Sequence, residues 1–140
     1  MQMHGSCATR DGAGVLLLGP PGAGKSDMLL RLLDHGFSLV ADDRVEIEDG
    51  FARPPAALAG LLEVRGLGIV RLPWVAPVRL RLAVALSGRA DRLPEPAPRL
   101  AGTDLRLVVI DPTAASAAAR IAMALACATG AVVQHAGAFA

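Results

Sequence analysis

Gly19-Pro20-Pro21-Gly22-Ala23-Gly24-Lys25-Ser26 fits the pattern GxxxxGK[ST], and its flanks constrain the fold more tightly than anything else in the 140 residues. Before it, Val15 to Leu18 is a short apolar run bounded by Gly14 and Gly19, suited to a buried strand. After it, Lys25 to His35 carries Met28, Leu29, Leu30, Leu32 and Leu33, with an Asp27 to Arg31 i,i+4 pair and Gly36 where a C-terminal cap belongs. The local reading is strand, loop and helix. A chance glycine turn is the alternative, and in a chain of this composition such a match is expected roughly 0.0007 times, before the flanking strand and helix are demanded.

The chemistry needs these residue types. Glycines let backbone N–H groups converge on phosphate oxygens, and the helix N-terminus adds partial positive charge. Lys25 can reach the β and γ phosphates of a nucleotide, and the Ser26 hydroxyl can bind Mg²⁺. Lys25 is also the only lysine among 14 basic residues, so the compact ammonium falls at the one position where the wide guanidinium fork of arginine would be a poor substitute.

A helix from Ser26 to about His35 carries the chain about 15 Å from the phosphates at 1.5 Å per residue. The extended segment Gly36 to Asp42 returns about 20 Å, which brings Asp42 and Asp43 back level with the loop. Side chains alternate along a strand, so one of the two acids is expected to meet Mg²⁺ or a substrate hydroxyl while the other supports it or pairs with an arginine. Glu63, in Leu62-Glu63-Val64-Arg65-Gly66-Leu67-Gly68-Ile69, is flanked by apolar and glycine residues, and a buried carboxylate there would need a cation. Mg²⁺ and Arg65 are both candidates. His4 by itself reads as a near-terminal surface residue, and His35 and His135 lack metal-ligand spacing. Ser6, Ser38 and Ser87 have no nucleophile-elbow context.

Composition removes several classes of function. Fourteen basic and 13 acidic residues leave a formal charge of +1 without a basic stripe, and aromatics are 3%, so neither a nucleic-acid footprint nor a base-stacking platform is expected. Ala114 to Ala128 is the longest apolar candidate span, and Ser116 and Arg120 interrupt it, so no membrane span is expected. The opening residues contain no charged stretch leading into an apolar run, which gives a cytoplasmic expectation. Cys7 and Cys127 lack CxxC spacing and read as reduced thiols.

Val78 to Leu86 alternates cleanly, with Val78, Leu80, Leu82, Val84 and Leu86 on one face, and this favours an antiparallel or mixed sheet. Arg92 to Pro98 reads as loop and Leu105 to Ile110 as strand. Asp111-Pro112 reads as N-cap and first residue of an Ala-rich helix ending at Gly130, and the last ten residues as frayed. With no repeat and no linker, residues 1–140 are expected to form a single α/β domain.

Met3-His4-Gly5, the Gly19 to Ser26 loop, Leu39-Val40-Ala41-Asp42-Asp43-Arg44-Val45-Glu46 and the Leu62 to Ile69 segment together resemble the catalytic domain of HPr kinase/phosphorylase, in its short form lacking the N-terminal domain. The resemblance is close over about the first 72 residues. It implies a single-domain α/β fold with a mixed sheet like that of phosphoenolpyruvate carboxykinase, commonly assembled as a hexamer. It further implies an ATP-dependent protein serine kinase acting on HPr, the phosphocarrier of the phosphotransferase system, with the reverse phosphorolysis as a second direction. By likeness Gly19, Pro20, Pro21, Gly22, Ala23, Gly24, Lys25 and Ser26 bind ATP, and Ser26 and Glu63 hold Mg²⁺. His4 and Lys25 join the active site, and one of Asp42 and Asp43 takes the serine proton. Leu105 to Ala119 has no counterpart of the arginine-bearing loop near the C-terminus of the long forms, so no role is carried over there. A small-metabolite kinase and a nucleotide-binding regulatory module without catalysis are the competing readings.

Overall fold

In the computed structural model, which describes residues 1–140, the alternating apolar positions of the chain build one mixed sheet with a different core layer on each face. The strands are β1 (Gln2–His4), β2 (Ser6–Arg10), β3 (Ala13–Leu18), β4 (Ser38–Ala41), β5 (Arg44–Glu48), β6 (Phe51–Arg53), β7 (Leu61–Val64), β8 (Gly68–Arg71), β9 (Val78–Leu86) and β10 (Leu107–Ile110). The helices are α1 (Lys25–Leu33) and α2 (Ala117–Ala128), and Ala56–Leu58 forms a single 3₁₀ turn. In the main sheet the order is β1-β5-β6-β9-β3-β2-β4, with β10 also paired to β9. Strand β3 runs parallel to β9 and antiparallel to β2, so the strand leading into the glycine loop sits in a mixed sheet. The hairpin β7–β8 stands outside it as a separate two-stranded sheet.

Period two explains the layers. On β2 and β3, Ala8, Val15 and Leu17 face α1 and α2, where Met28, Leu29, Leu32, Ile121 and Leu125 are buried against them. Cys7 and Leu16 face the other way and pack with Val40, Val45, Ile47, Val78 and Leu80. Burial pushes the Cys7 thiol well above its ordinary pKa and leaves it inert. Along β9 the alternation is clean only at its start; Leu82, Ala83 and Val84 are all buried because both faces are covered there.

Four expectations are corrected here. Asp27 and Arg31 do not pair: the Arg31 guanidinium donates to the carbonyls of Pro112 (2.7 Å) and Ala114 (2.9 Å), tying α1 to the segment before α2. Both contacts are half-buried, and a charged donor to a carbonyl there is worth more than an exposed ion pair with Asp27 would be. The second helix begins at Ala117 with Ser116 as its N-cap, not at Asp111-Pro112. Asp111 instead accepts from the Thr113 backbone N–H (2.9 Å) and hydroxyl (2.7 Å), a local turn that competes with helix and holds the carboxyl below its usual pKa. The last ten residues are not frayed: Ala138 is buried, Phe139 packs on the core, and the Ala97 N–H donates to the Ala138 carbonyl (2.8 Å). The strand expected from Leu105 starts at Leu107, because Leu105 closes a turn through Leu100 and Thr103. No helix is long and apolar enough to cross a membrane.

Candidate active site

Two bent strand pairs create the site. Strand β1 pairs with β5, in the register His4 to Arg44, while β2 pairs with β4, in the register Cys7 to Ala41. Both ladders break at one corner, with Gly5 and Ser6 on one chain segment and Asp42 and Asp43 on the other. The Gly5 N–H donates to the Asp43 carbonyl (3.0 Å), and the Arg44 N–H reaches back to the Asp42 carbonyl (2.8 Å). This second bond, from residue i+2 to residue i, closes a γ-turn around Asp43, whose φ is +69°. For a non-glycine residue such a conformation costs about 1–3 kcal/mol, and it is concentrated at functional sites.

The glycine loop arrives at the same corner from β3. A Cβ at Gly19 would lie 2.8 Å from the Ala23 Cβ, and Gly24, with φ of +96°, caps α1 without any side-chain hydrogen bond. The first-turn N–H groups of α1 therefore face the opening with no intrachain side-chain acceptor, as an anion site requires. The Lys25 Nζ folds over the loop and donates to the carbonyls of Gly19 (2.7 Å) and Pro20 (3.1 Å).

Asp42 and Asp43 have opposite environments. Asp42 is 7% exposed, and its carboxylate accepts from Ser6 Oγ (2.7 Å), Ser26 Oγ (2.9 Å to each oxygen) and the Glu63 N–H (3.3 Å). The Asp43 side chain is 69% exposed and has one charged neighbour, the equally open His4, whose Nδ1 lies 4.0 Å away. Of the two roles expected for the other acid, support or pairing with an arginine, neither aspartate shows the arginine pair: the charged neighbour of Asp43 is His4, because β1 ends beside it.

An open, mainly polar cleft of about 610 Å³ gathers Lys25, Ser26, Asp42, Asp43, Glu63 and Arg65. His4 is not on its lining and touches it only through Asp43. Glu63 is exposed and has no ion-pair partner, so the argument from burial fails for it: the hairpin turns Leu62 into the core and Glu63 outward. Glu63 and Arg65 both line the cleft without bridging each other. A larger groove, about 770 Å³, lies between the Arg89–Pro98 loop, β10 and α2. It offers no glycine loop and no buried acid, so chemistry and not size picks the smaller cleft.

No group of three or more His, Cys, Asp or Glu side chains stands ready to chelate a metal. The available donors are the Ser26 hydroxyl and carboxylate oxygens, the hard set that suits Mg²⁺ when substrate phosphates complete its coordination. Ser6 is the site residue that sequence reading missed. No local signal marks it, because it lies in a mixed polar and small segment and becomes legible only once the β2–β4 register sets it beside Asp42.

Known proteins share this arrangement of chain. The structure of the Hpr(Ser) kinase/phosphatase from Coxiella burnetii superposes with a TM-score of 0.67 over 81% of this chain and 87% of that one, at 23% identity, a likeness of fold. The HPr kinase/phosphorylase of Clostridium novyi (strain NT) is 45% identical over 76 residues, which are 51% of this chain and 25% of that protein. The chain thus spans about a quarter of the length of this curated relative. The model of the HPr serine kinase C-terminal domain matches residues 1–75, which contain the loop, both aspartates and the hairpin glutamate. The chain belongs to the HPr serine kinase C-terminal domain family.

Proposed function

We propose that residues 1–140 act as one catalytic unit, an ATP-dependent protein serine kinase whose substrate is an HPr-type phosphocarrier. The observation that carries this reading is the corner itself: a glycine loop with an open helix N-terminus meets one buried and one exposed aspartate in a single cleft. The backbone N–H groups from Gly19 to Ser26 hold the phosphates of ATP, and Lys25 exchanges its loop carbonyls for phosphate oxygens. Ser26 and Glu63 would hold Mg²⁺, which supplies charge neutralisation at the transferring phosphoryl group.

Asp43 is the proton acceptor in this reading. Its carboxylate is open to the cleft and no hydrogen bond occupies it, whereas Asp42 is saturated by three donors. The substrate serine oxygen forms the new bond to phosphorus as the bond to ADP breaks, and the serine proton passes to Asp43. His4, 4.0 Å away, orients that carboxylate. In the reverse direction, an oxygen of inorganic phosphate attacks the phosphoserine phosphorus, the bond from phosphorus to the serine oxygen breaks, pyrophosphate leaves and Asp43 returns the proton to the serine oxygen. By family resemblance the enzyme works in the cytoplasm as an oligomer.

Purified protein, ATP, Mg²⁺ and HPr should give HPr phosphorylated on serine, and phosphorylated HPr with inorganic phosphate should test the return direction. ATP binding with no transfer to HPr would leave a regulatory module as the better reading, and turnover of a metabolite without HPr would leave a metabolite kinase.

A further inference from the structure

Ser6 is fully buried, and its hydroxyl makes one hydrogen bond, to Asp42 Oδ1 at 2.7 Å. It sits on β2, the strand beside the one that feeds the glycine loop, paired there with Leu17. Cys7 and Ala41, the partners next along this ladder, both face the opposite core layer, which leaves Ser6 and Asp42 directed toward α1. Ser26 Oγ lies 2.9 Å from both oxygens of the same carboxylate, sharing Oδ1 with Ser6. The sequence of contacts is therefore Ser6 to Asp42 to Ser26, running from a rigid strand to the first turn of α1.

A carboxylate only accepts, so in both contacts the serine must donate its proton. This fixes the direction of the Ser26 hydroxyl: its hydrogen points at Asp42, and its lone pairs are left for the cleft. A free serine rotor would spread its lone pairs over several orientations and lose part of its value as a ligand. Asp42 can impose that direction only while its own carboxylate is held, and the Glu63 N–H at 3.3 Å is a long contact that leaves Ser6 as the shorter anchor.

We propose that Ser6 is a positioning residue: by pinning Asp42 it turns the Ser26 lone pairs toward a divalent cation bound with the nucleotide. Ser6 borders the cleft but is fully buried, and its hydroxyl acts through Asp42. The proposal rests on the ATP and Mg²⁺ reading of the cleft and does not depend on which phosphocarrier is the substrate.

The test is calorimetric binding of ATP, in Mg²⁺ and in EDTA, to the intact wild-type chain and to Ser6→Ala, Ser6→Thr and Ser6→Cys, each first checked for folding by its melting curve. In wild type, Mg²⁺ should tighten ATP binding. In Ser6→Ala that tightening should shrink about tenfold, the scale of one hydrogen bond to a charged group, while the affinity in EDTA stays within twofold. Ser6→Thr, which keeps the hydroxyl, should recover it. Ser6→Cys, a weak donor of similar size, should lie between and serves if the alanine variant does not fold. Equal loss with and without Mg²⁺, an unchanged Mg²⁺ effect in Ser6→Ala or Ser6→Cys, or a folded Ser6→Thr as deficient as alanine would overturn the role of Ser6. No Mg²⁺ effect in wild type would overturn the cation reading and this proposal with it. A Ser6-dependent Mg²⁺ effect without transfer to HPr would sustain Ser6 and sink only the phosphocarrier reading.

Discussion

Residues 1–75 and 76–140 contribute to the same sheet and do different work. The first part holds every side chain that lines the candidate cleft, and there the backbone is bent away from regular geometry: Asp43 at φ +69°, the uncapped start of α1, and a hairpin standing off the main sheet. The second part holds the longest strand, β9, which is central to the sheet, and α2, whose Ile121 and Leu125 fill the layer under α1. Chemistry was concentrated where local regularity is broken, and support where it is intact. Arg31 joins the two by reaching from α1 to the carbonyls before α2.

That division can be broken most sharply at Asp43. Asp43→Asn should lower kcat for phosphoryl transfer by about 10³ to 10⁴ while ATP affinity by calorimetry stays unchanged, as expected for loss of a general base alone. Lys25→Ala should lower kcat about 10² to 10³ and weaken ATP binding as well, a pairing of effects that separates it from Asp43 in steady-state kinetics. On the supporting side, Ile121→Ala should destabilise by about 3 kcal/mol and drop the melting temperature by roughly 10 °C, with kcat per folded molecule intact. Arg31→Ala strips two carbonyls of their donor and should cost about 2 kcal/mol in chemical denaturation, without the base-specific kinetic signature of Asp43→Asn. Val133→Ser, at a side chain 91% exposed, should move the melting curve by less than about 0.5 kcal/mol. A large kinetic defect in Ile121→Ala, or a purely thermal one in Asp43→Asn, would erase the contrast.

What was legible in the sequence follows the same line. The glycine loop, the return to Asp42 and Asp43 and the alternation of β9 are local patterns, and each was placed from spacing alone. The strands β1 and β2 were not, because Met1 to Gly12 mixes polar and small residues and acquires strand geometry from its partners β3, β4 and β5. Ser6 beside Asp42 and His4 beside Asp43 depend on that pairing, so neither could be read from one segment. Glu63 was expected to be buried because its neighbours are apolar, but a two-stranded hairpin has two faces, and only the face of Leu62 meets the core. The order of the C-terminal tail is not legible in its own residues for a similar reason: its contact with Ala97 joins residues far apart in the chain.

The most direct test is amide hydrogen exchange with and without ATP and Mg²⁺, read by mass along the whole chain. The account predicts new protection in Gly5–Ser6, Gly19–Asp27, Asp42–Arg44 and Glu63–Arg65, with residues 89–124 unchanged although the larger groove lies there. Protection in that groove, with none at the glycine loop and the two aspartates, would contradict it.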